Sequence, residues 1–300
     1  TSQVRALITG AAGQDGTILS AMLSQQGAEI FGLIKPGAER ESVATLQRYA
    51  PEIKLLEIDL RDADALQSTV RAVDPTHVWN FGGFSAPGAS WDNEEEVTQI
   101  NVEAVAALLS GVQEQGNQAR FFQASSATIF EGTDKSPQSE TTDMEPKSPY
   151  AQSKARAMEL VRDARSMGVF ACSGIFYNHE SPLRGEGFVT RKISQAVARI
   201  AAGLQPELEL GDVEVARDWG WAPDYVRATL LMLQADEPND YVLATGISHR
   251  LSFFIQRAFL AAGISSWQDF VKSSAANTRP NDTNLMVGDS RAAYLELGWR

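Results

Sequence analysis

The chain has 300 residues, 43% of them hydrophobic and 21% charged, with a formal net charge of −12. This composition supports a sizeable buried core and excludes an intrinsically disordered chain. The negative charge disfavours binding to nucleic acid or to an anionic membrane. No apolar run approaches the roughly 20 residues of a membrane span, and a strand pattern starts at once, so we expect a cytoplasmic protein.

Runs with strand spacing alternate with runs of helical spacing in the first part of the chain. The predicted strands are Val4–Thr9, Glu29–Ile34, Lys54–Ile58, His77–Phe81, Arg120–Ala124 and Phe170–Phe176. The predicted helices are Thr17–Gln26, Ala63–Val73, Val102–Gln115 and Tyr150–Met167. This order predicts an α/β fold built on a Rossmann-type, doubly wound parallel sheet. The single cysteine, Cys172, lies in the last strand and is expected in the core, without a disulfide or a metal.

The texture of the sequence changes after Tyr177. Residues 178–189 are polar and glycine-rich, residues 190–203 have helical spacing, and short mixed elements follow. We therefore predict a smaller C-terminal α/β substrate domain of residues 178–211 and about 241–300. Residues 1–177 and about 212–240 would form the larger domain.

A glycine loop, Gly10-Ala11-Ala12-Gly13-Gln14-Asp15-Gly16, joins the first strand to the first helix. Glycines there let the backbone approach a pyrophosphate, whose charge is met by amides at the helix N-terminus. An ordinary glycine turn is the alternative. We assign Gly10, Gly13, Gln14, Asp15 and Gly16 to a dinucleotide cofactor, together with Ser85 beyond the strand-ending Asn80-Phe81-Gly82-Gly83.

The second strand ends in Leu33-Ile34-Lys35-Pro36, without the carboxylate that usually binds the adenosine ribose of NAD. Lys35 and Arg40 would suit a 2′-phosphate, which favours NADP over NAD; two solvated loop cations are the alternative. Asp59 and Leu60, after the third strand, are expected to border the adenine, although an aspartate there is often a helix cap.

The catalytic candidates lie between Ser125 and Lys154. Tyr150 and Lys154 are four residues apart and so share one helix face. A nearby ammonium favours the phenolate, so we expect it to lower the pKa of Tyr150 toward that of a useful base. Ser126 would then hold the substrate hydroxyl in line.

These features in this order resemble an extended short-chain dehydrogenase/reductase. Five further segments resemble GDP-mannose 4,6-dehydratases: residues 14–16, 148–151, 176–182, 187–193 and 217–220. The resemblance implies a tightly bound NADP or NAD, a GDP-sugar substrate, and a homodimer or homotetramer paired through helices 102–115 and 150–167. It also implies a set of substrate-binding residues: Asn178, Glu180, Thr190, Lys192, Arg217 and Arg279. For the two arginines, a surface ion pair is the alternative.

One position departs from the dehydratases. They carry a glutamate two residues after the catalytic hydroxyl, and this chain has Thr128. That glutamate removes the C5 proton, and threonine is no base near neutral pH. The segment Ser-Ser-Ala-Thr resembles sugar-nucleotide 4-epimerases instead. We therefore expect Thr128 to line the pocket of a 4-epimerase or C4 oxidoreductase that acts on a GDP-hexose or GDP-heptose.

Two alternatives stay open at this stage. One is a true 4,6-dehydratase in which Glu131 supplies the missing carboxylate, although strand alternation would point it to the opposite face. The other is a catalytically weak protein that binds a GDP-sugar and NADP.

Glu140 is expected to brace its loop, and His179 to be structural.

Overall fold

The computed structural model describes residues 3–274 and 286–300. Seven parallel strands form the main sheet: β1 (Arg5–Thr9), β2 (Glu29–Ile34), β3 (Lys54–Glu57), β4 (His77–Asn80), β5 (Arg120–Ser126), β6 (Ala171–Phe176) and β10 (Tyr241–Leu243). Their order is β10-β6-β5-β4-β1-β2-β3. The order reverses direction at β1 and β4, which is the doubly wound arrangement. The predicted Rossmann-type α/β fold is confirmed.

Helices cover both faces of this sheet: α1 (Gln14–Gln25), α2 (Arg40–Tyr49), α3 (Ala63–Val73), α4 (Glu94–Thr98), α5 (Ala104–Glu114), α6 (Pro149–Ser166) and α8 (Ala222–Gln234). Successive residues of β1 point to opposite faces. Ala6 and Ile8 therefore join a core with α1 and α8, whereas Leu7 joins one with α3 and α5. Helix α2 was not predicted, and Leu46 is its one buried side chain.

A smaller unit lies beyond Tyr177. It contains a three-stranded sheet, β11-β9-β7, made of β7 (Asn178–Glu180), β9 (Ala216–Trp221) and β11 (Ser248–Arg250). It also has the parallel pair β8 (Leu208–Leu210) and β12 (Val271–Ser273). Helices α7 (Val189–Ala201) and α9 (Leu251–Ala261) close a separate apolar core, which includes Ile193, Leu210 and Ile255.

The predicted return to the substrate domain near residue 241 differs from the structure. Tyr241–Leu243 pairs with β6 as the outer strand of the main sheet. Helix α10 (Arg291–Leu297) packs against β10, and Ala293 and Trp299 belong to the main core. A three-residue apolar run carries no sequence signal for which sheet it will join.

The two helices through which a dimer is expected to pair, residues 102–115 and 150–167, turn apolar side chains toward the inside of the subunit. Val105, Leu108 and Val112 of α5 are fully buried against α3 and the sheet, and Val161 of α6 joins the same core. The dimer or tetramer therefore stays a prediction, and these buried side chains do not support it. Cys172 is fully buried, as expected of a core residue.

Candidate active site

The glycine loop makes a tight turn against the end of β4. Gly10 has φ +62°, and a Cβ there would lie 2.7 Å from the Gly82 nitrogen. A Cβ on Gly16 would lie 2.3 Å from the Gly10 carbonyl oxygen. Helix α1 begins after Gly13, which provides no side-chain cap for its first amides. The loop is thus a close-approach cradle at a helix N-terminus, which fits a diphosphate.

A row of buried polar side chains fixes the strand ends beside this loop. The Thr9 hydroxyl donates to Asn80 Oδ1, and the Asn80 amide donates to Gln123 Oε1 at 2.8 Å. The Gly82 amide in turn donates to Thr9 Oγ1 at 2.9 Å. These bonds join β1, β4 and β5 at their carboxyl ends, the edge where doubly wound sheets bind ligands.

The catalytic candidates continue from this edge. Lys154 Nζ donates to the Ala124 carbonyl at 3.2 Å and lies 5.7 Å from the centre of the Tyr150 ring. A Cβ on Gly83 would lie 3.4 Å from Lys154 Nζ, so the lysine adjoins the loop after β4. Helix α6 is started by Ser148, whose hydroxyl accepts from the Ala151 amide, and by Pro149. The structure thus brings together the glycine loop, Lys154 and Tyr150.

The expected direction of the Tyr150 pKa is not what the structure gives. Burial raises the pKa of Tyr150, and the hydrogen bond with Ser126 and the charge of Arg184 offset only part of that rise. Burial also lowers the pKa of Lys154 to about 8. Desolvation is therefore the largest influence on the pKa of both side chains in this structure.

Thr128 lies on a short 3₁₀ turn, Ala127–Phe130, directly after β5. Its hydroxyl donates to Ser126 Oγ at 3.0 Å, and its backbone amide reaches the same oxygen at 3.3 Å. A serine hydroxyl has two lone pairs and one proton. Because Thr128 occupies both acceptor positions, the Ser126 proton is left to donate toward Tyr150 or a substrate hydroxyl.

Glu131 is held by the start of α6. Its carboxylate accepts from the Lys147 amide at 3.2 Å, the Ser148 amide at 3.0 Å and the Ser148 hydroxyl at 3.1 Å. The 3₁₀ turn brings it close enough to Tyr150 for its charge to raise the phenol pKa. Glu140 braces its loop as expected, since its carboxylate accepts from the Val242 amide at 2.7 Å.

The side chains of Gln14 and Asp15 turn toward strand β7 of the smaller unit. His179 Nε2 lies 2.9 Å from Asp15 Oδ2, and the Gln14 amide donates to the His179 carbonyl at 3.1 Å. The Ser181 hydroxyl donates to Gln14 Oε1 at 2.8 Å. Any contribution of these two loop residues to a cofactor is therefore left to their backbone, whereas sequence reasoning assigned them without that distinction.

The remaining cofactor candidates lie around the same edge. Lys35 and Arg40 are exposed at the end of β2 and the start of α2, and Ser85 is exposed after β4. A Cβ on Gly82 would lie 2.8 Å from Leu60, which places Leu60 at the strand ends. Asp59 is engaged by Arg61, whose hydrogen bonds lower the Asp59 pKa to about 2.

The substrate candidates are spread over the smaller unit. Asn178, Glu180 and Arg217 lie on the sheet β11-β9-β7. Thr190, in the first turn of α7, donates its hydroxyl to Glu180. Lys192 is exposed on α7 and donates to the Glu209 carbonyl at 3.0 Å. Arg279 lies outside the described residues.

Two residues near the catalytic candidates were missed by sequence reasoning. Arg184 has a side chain 13% exposed, pairs with Glu180 at 3.2 Å and acts electrostatically on Tyr150. Asn101 is buried in a π-helical turn, Gln99–Glu103, and bonds the Phe84 amide and the Ser153 hydroxyl. The segment that resembles the dehydratases stops before Arg184, and Asn101 has no local motif, so no pattern marked either one.

Within residues 3–274 and 286–300, no three His, Cys, Asp or Glu side chains come together as a metal site. In the same ranges, no helix combines the length and the apolarity needed to cross a membrane.

A sequence model of the family described as GDP-mannose 4,6 dehydratase matches residues 7–300. The chain belongs to the GDP-mannose 4,6-dehydratase family. The chain is 38% identical to GDP-mannose 4,6 dehydratase 1 of Arabidopsis thaliana over 307 residues, which cover 98% of this chain and 84% of the relative. It is 35% identical to the Homo sapiens GDP-mannose 4,6 dehydratase over 321 residues, with 98% and 86% covered. The family resemblance drawn from the motifs is confirmed.

Solved structures similar to this family member include epimerases and dehydratases. A UDP-glucose 4-epimerase from Thermus thermophilus, in complex with NAD, has a TM-score of 0.85 and 24% identity, covering 99% of this chain and 93% of that one. A dTDP-glucose 4,6-dehydratase from Streptomyces venezuelae, with NAD bound, has a TM-score of 0.84 and 22% identity, covering 99% and 91%. At these identities the likeness concerns the fold, which both reaction types share.

Proposed function

We propose that this GDP-mannose 4,6-dehydratase family member uses NADP or NAD to oxidise C4 of a GDP-hexose or GDP-heptose. It then acts as a 4-epimerase or C4 oxidoreductase instead of a dehydratase. The observation that carries the proposal is the bond from the Thr128 hydroxyl to Ser126, at the position where a dehydratase needs a carboxylate. A GDP-sugar substrate is supported by the family match and by the candidates Asn178, Thr190, Lys192 and Arg217.

In this proposal Tyr150 takes the proton of the C4 hydroxyl, and the C4 hydrogen leaves as hydride. The nicotinamide, when bound, supplies the hydride acceptor, and the loop Gly10–Gly16 would hold the cofactor's diphosphate. Ser126 donates to the C4 oxygen and keeps it in line with the phenol. In a 4-epimerase the hydride would return to the opposite face of C4 and Tyr150 would return the proton to the C4 oxygen, whereas an oxidoreductase would release both the 4-keto sugar and the reduced cofactor.

A dehydratase must also remove the C5 proton and expel the C6 hydroxyl as water. Those steps need a base that is free to reach C5. Thr128 donates to Ser126, which a carboxylate at that position could not do, because an ionised carboxylate only accepts. Glu131, the nearest alternative acid along the chain, already accepts three hydrogen bonds from Lys147 and Ser148. The bonds of Thr128 and Glu131 therefore support a reaction confined to C4, without removal of the C5 proton.

The cofactor choice leans to NADP. Lys35 and Arg40 are exposed where β2 ends and α2 begins, and the residues directly after β2, Lys35-Pro36-Gly37-Ala38, include no acid. Asp59 is occupied by Arg61. Competitive titration of the stripped protein with NADP and NAD tests this preference, and tighter binding of NAD than of NADP would contradict it.

Product analysis on GDP-mannose and related GDP-sugars tests the reaction class. We expect a C4-inverted or 4-keto sugar with the C6 hydroxyl retained. Thr128→Val should lower kcat by about fivefold, the factor that one hydrogen bond of about 1 kcal/mol supplies, whereas Thr128→Ser should keep most of the activity. Equal activity of Thr128→Val and the wild type would contradict the positioning of Ser126.

The second candidate is a true GDP-mannose 4,6-dehydratase, which the names of the relatives at 38% and 35% identity favour. Thr128→Glu separates the two. If the wild type makes no 6-deoxy product and Thr128→Glu does, this position alone divides the chemistries. If the wild type already makes a 4-keto-6-deoxy sugar at a normal rate and Glu131→Gln abolishes it, the dehydratase candidate is correct.

A further inference from the structure

We infer that His179 is a buried imidazolium that neutralises Asp15 beside the dinucleotide loop, and that this neutralisation is a condition for binding the cofactor's diphosphate. The inference rests on the proposed use of NAD(P). Both residues are positioning residues, since Tyr150 and Ser126 perform the chemistry at C4. Sequence reasoning had given Asp15 to the cofactor directly and His179 to the structure of its loop.

With Asp15 ionised, as its lowered pKa favours, the contacts of the imidazole ring require two ring protons. Nδ1 lies 2.8 Å from the Tyr177 carbonyl oxygen, and Nε2 lies 2.9 Å from Asp15 Oδ2. Carbonyl and carboxylate oxygens accept hydrogen bonds and do not donate them. A neutral imidazole carries one N–H, so it would leave one of these contacts between two acceptors. The imidazolium satisfies both.

The charges around the ring agree with this state. Burial opposes the cation, but the charge and hydrogen bond of Asp15 raise the pKa of His179 above its usual value. Burial likewise opposes ionised Asp15, and His179 and Arg184 together hold the Asp15 pKa below its usual value. The side chains of His179 and Asp15 are 8% and 17% exposed, so water screens the pair weakly.

Groups from four elements face the ring. Arg184, in the loop before α7, repels the imidazolium, and Glu180 on β7 pairs with that arginine at 3.2 Å. The Tyr225 ring of α8 stacks on the imidazole with centroids 5.0 Å apart and 14° between the planes. Phe176 of β6 lies 4.8 Å away. Of these groups and Asp15 from α1, the carboxylate of Asp15 is the one bonded to the ring.

Asp15 lies close enough to the dinucleotide loop for its charge to act on a bound diphosphate. It is the second residue of α1, two positions after Gly13, and the N-terminus of a helix attracts anions. An unpaired carboxylate there would repel a diphosphate through a poorly screened medium. Paired with the imidazolium it presents no net charge. The bonds of Gln14 to the His179 carbonyl and to Ser181 tie the same loop to the substrate-side strand.

Equilibrium titration of the stripped protein with NAD⁺ and NADP⁺ from about pH 6 up to the alkaline limit of the fold tests the inference, because the imidazolium loses its proton as the pH rises through the raised pKa of His179. Wild-type affinity should fall by about tenfold or more toward the alkaline end. His179→Gln should bind about as weakly at every pH as the alkaline wild type. Asp15→Asn should lose the pH dependence. Asp15→Asn/His179→Gln should bind within about threefold of the wild type at low pH, because the repulsive charge is gone.

His249→Gln is the matched control, a histidine stacked on Phe253 away from the loop, and should follow the wild type. A purely structural pair would make the double variant no better than His179→Gln, and that result would overturn the inference. If the single variants fail to fold, NMR of the wild-type ring decides: two ring N–H protons support the imidazolium, and one overturns it. Failure of the wild type to bind either dinucleotide would instead overturn the proposed function as well.

Discussion

The buried ammonium of Lys154 should reduce the free energy of unfolding, although the proposed chemistry depends on it. Its side chain is 7% exposed, and burial lowers its pKa from 10.5 to about 8. One pKa unit corresponds to about 1.4 kcal/mol, so holding the ammonium in place costs about 3 kcal/mol at neutral pH. Lys154→Met keeps most of the volume and removes the charge. It forfeits the bond to the Ala124 carbonyl, about 1 kcal/mol, so a net gain of about 2 kcal/mol remains.

The sign follows from proton linkage. The unfolded chain binds the lysine proton up to about pH 10.5 and the folded chain up to about pH 8, so the wild type gains stability as pH rises between these values. The advantage of Lys154→Met should therefore be full below about pH 8 and fade toward 10.5.

Urea unfolding of the cofactor-stripped proteins at several pH values measures this advantage. Lys135→Met is the matched control, an exposed lysine whose change should stay within about 0.5 kcal/mol. A destabilised Lys154→Met, or an advantage that does not change with pH, would refute the account of a desolvated ammonium. Catalytic activity should be lost in Lys154→Met even though the protein is more stable.

Three further substitutions test separate parts of the site. Tyr150→Phe should lower kcat by at least about a hundredfold through loss of the acid–base group, with GDP-sugar affinity nearly unchanged; unchanged turnover would favour a binding protein without chemistry. Glu131→Gln should lower the free energy of unfolding by about 1 to 2 kcal/mol, because the N-terminus of α6 loses a charged hydrogen-bond acceptor. The variant should make the same product as the wild type, and a changed product would show that Glu131 takes part in catalysis. Gly16→Ala should weaken dinucleotide binding by at least about tenfold, because its Cβ would lie 2.3 Å from the Gly10 oxygen, and near wild-type affinity would contradict the cradle.

The main sheet was predictable because each of its long strands is an apolar run bounded by turn residues. The predicted and observed bounds of Glu29–Ile34 and Ala63–Val73 coincide. Helix α2 and strand β10 were not predictable, since one is largely exposed and the other has three residues. In both cases tertiary packing, and not local pattern, fixes the element.

The candidate site was also predictable from the sequence only in part. Spacing alone placed Lys154 on the face of Tyr150, and that contact is present. Spacing could not give the direction of the Tyr150 pKa, which depends on burial. It could not give the bond between Asp15 and His179, since 164 residues separate them. Nor could it show the Thr128 hydroxyl donating to Ser126, because that depends on the 3₁₀ turn after β5.

Turnover of a GDP-sugar substrate in deuterated water tests the central claim most directly. Chemistry confined to C4 returns or releases the hydride without breaking the C5–H bond, so the product should carry no deuterium at C5 and should keep its C6 hydroxyl. A dehydratase exchanges the C5 proton through its base and loses the C6 hydroxyl as water. Stoichiometric deuterium at C5 of a 4-keto-6-deoxy product would contradict the function assigned from Thr128.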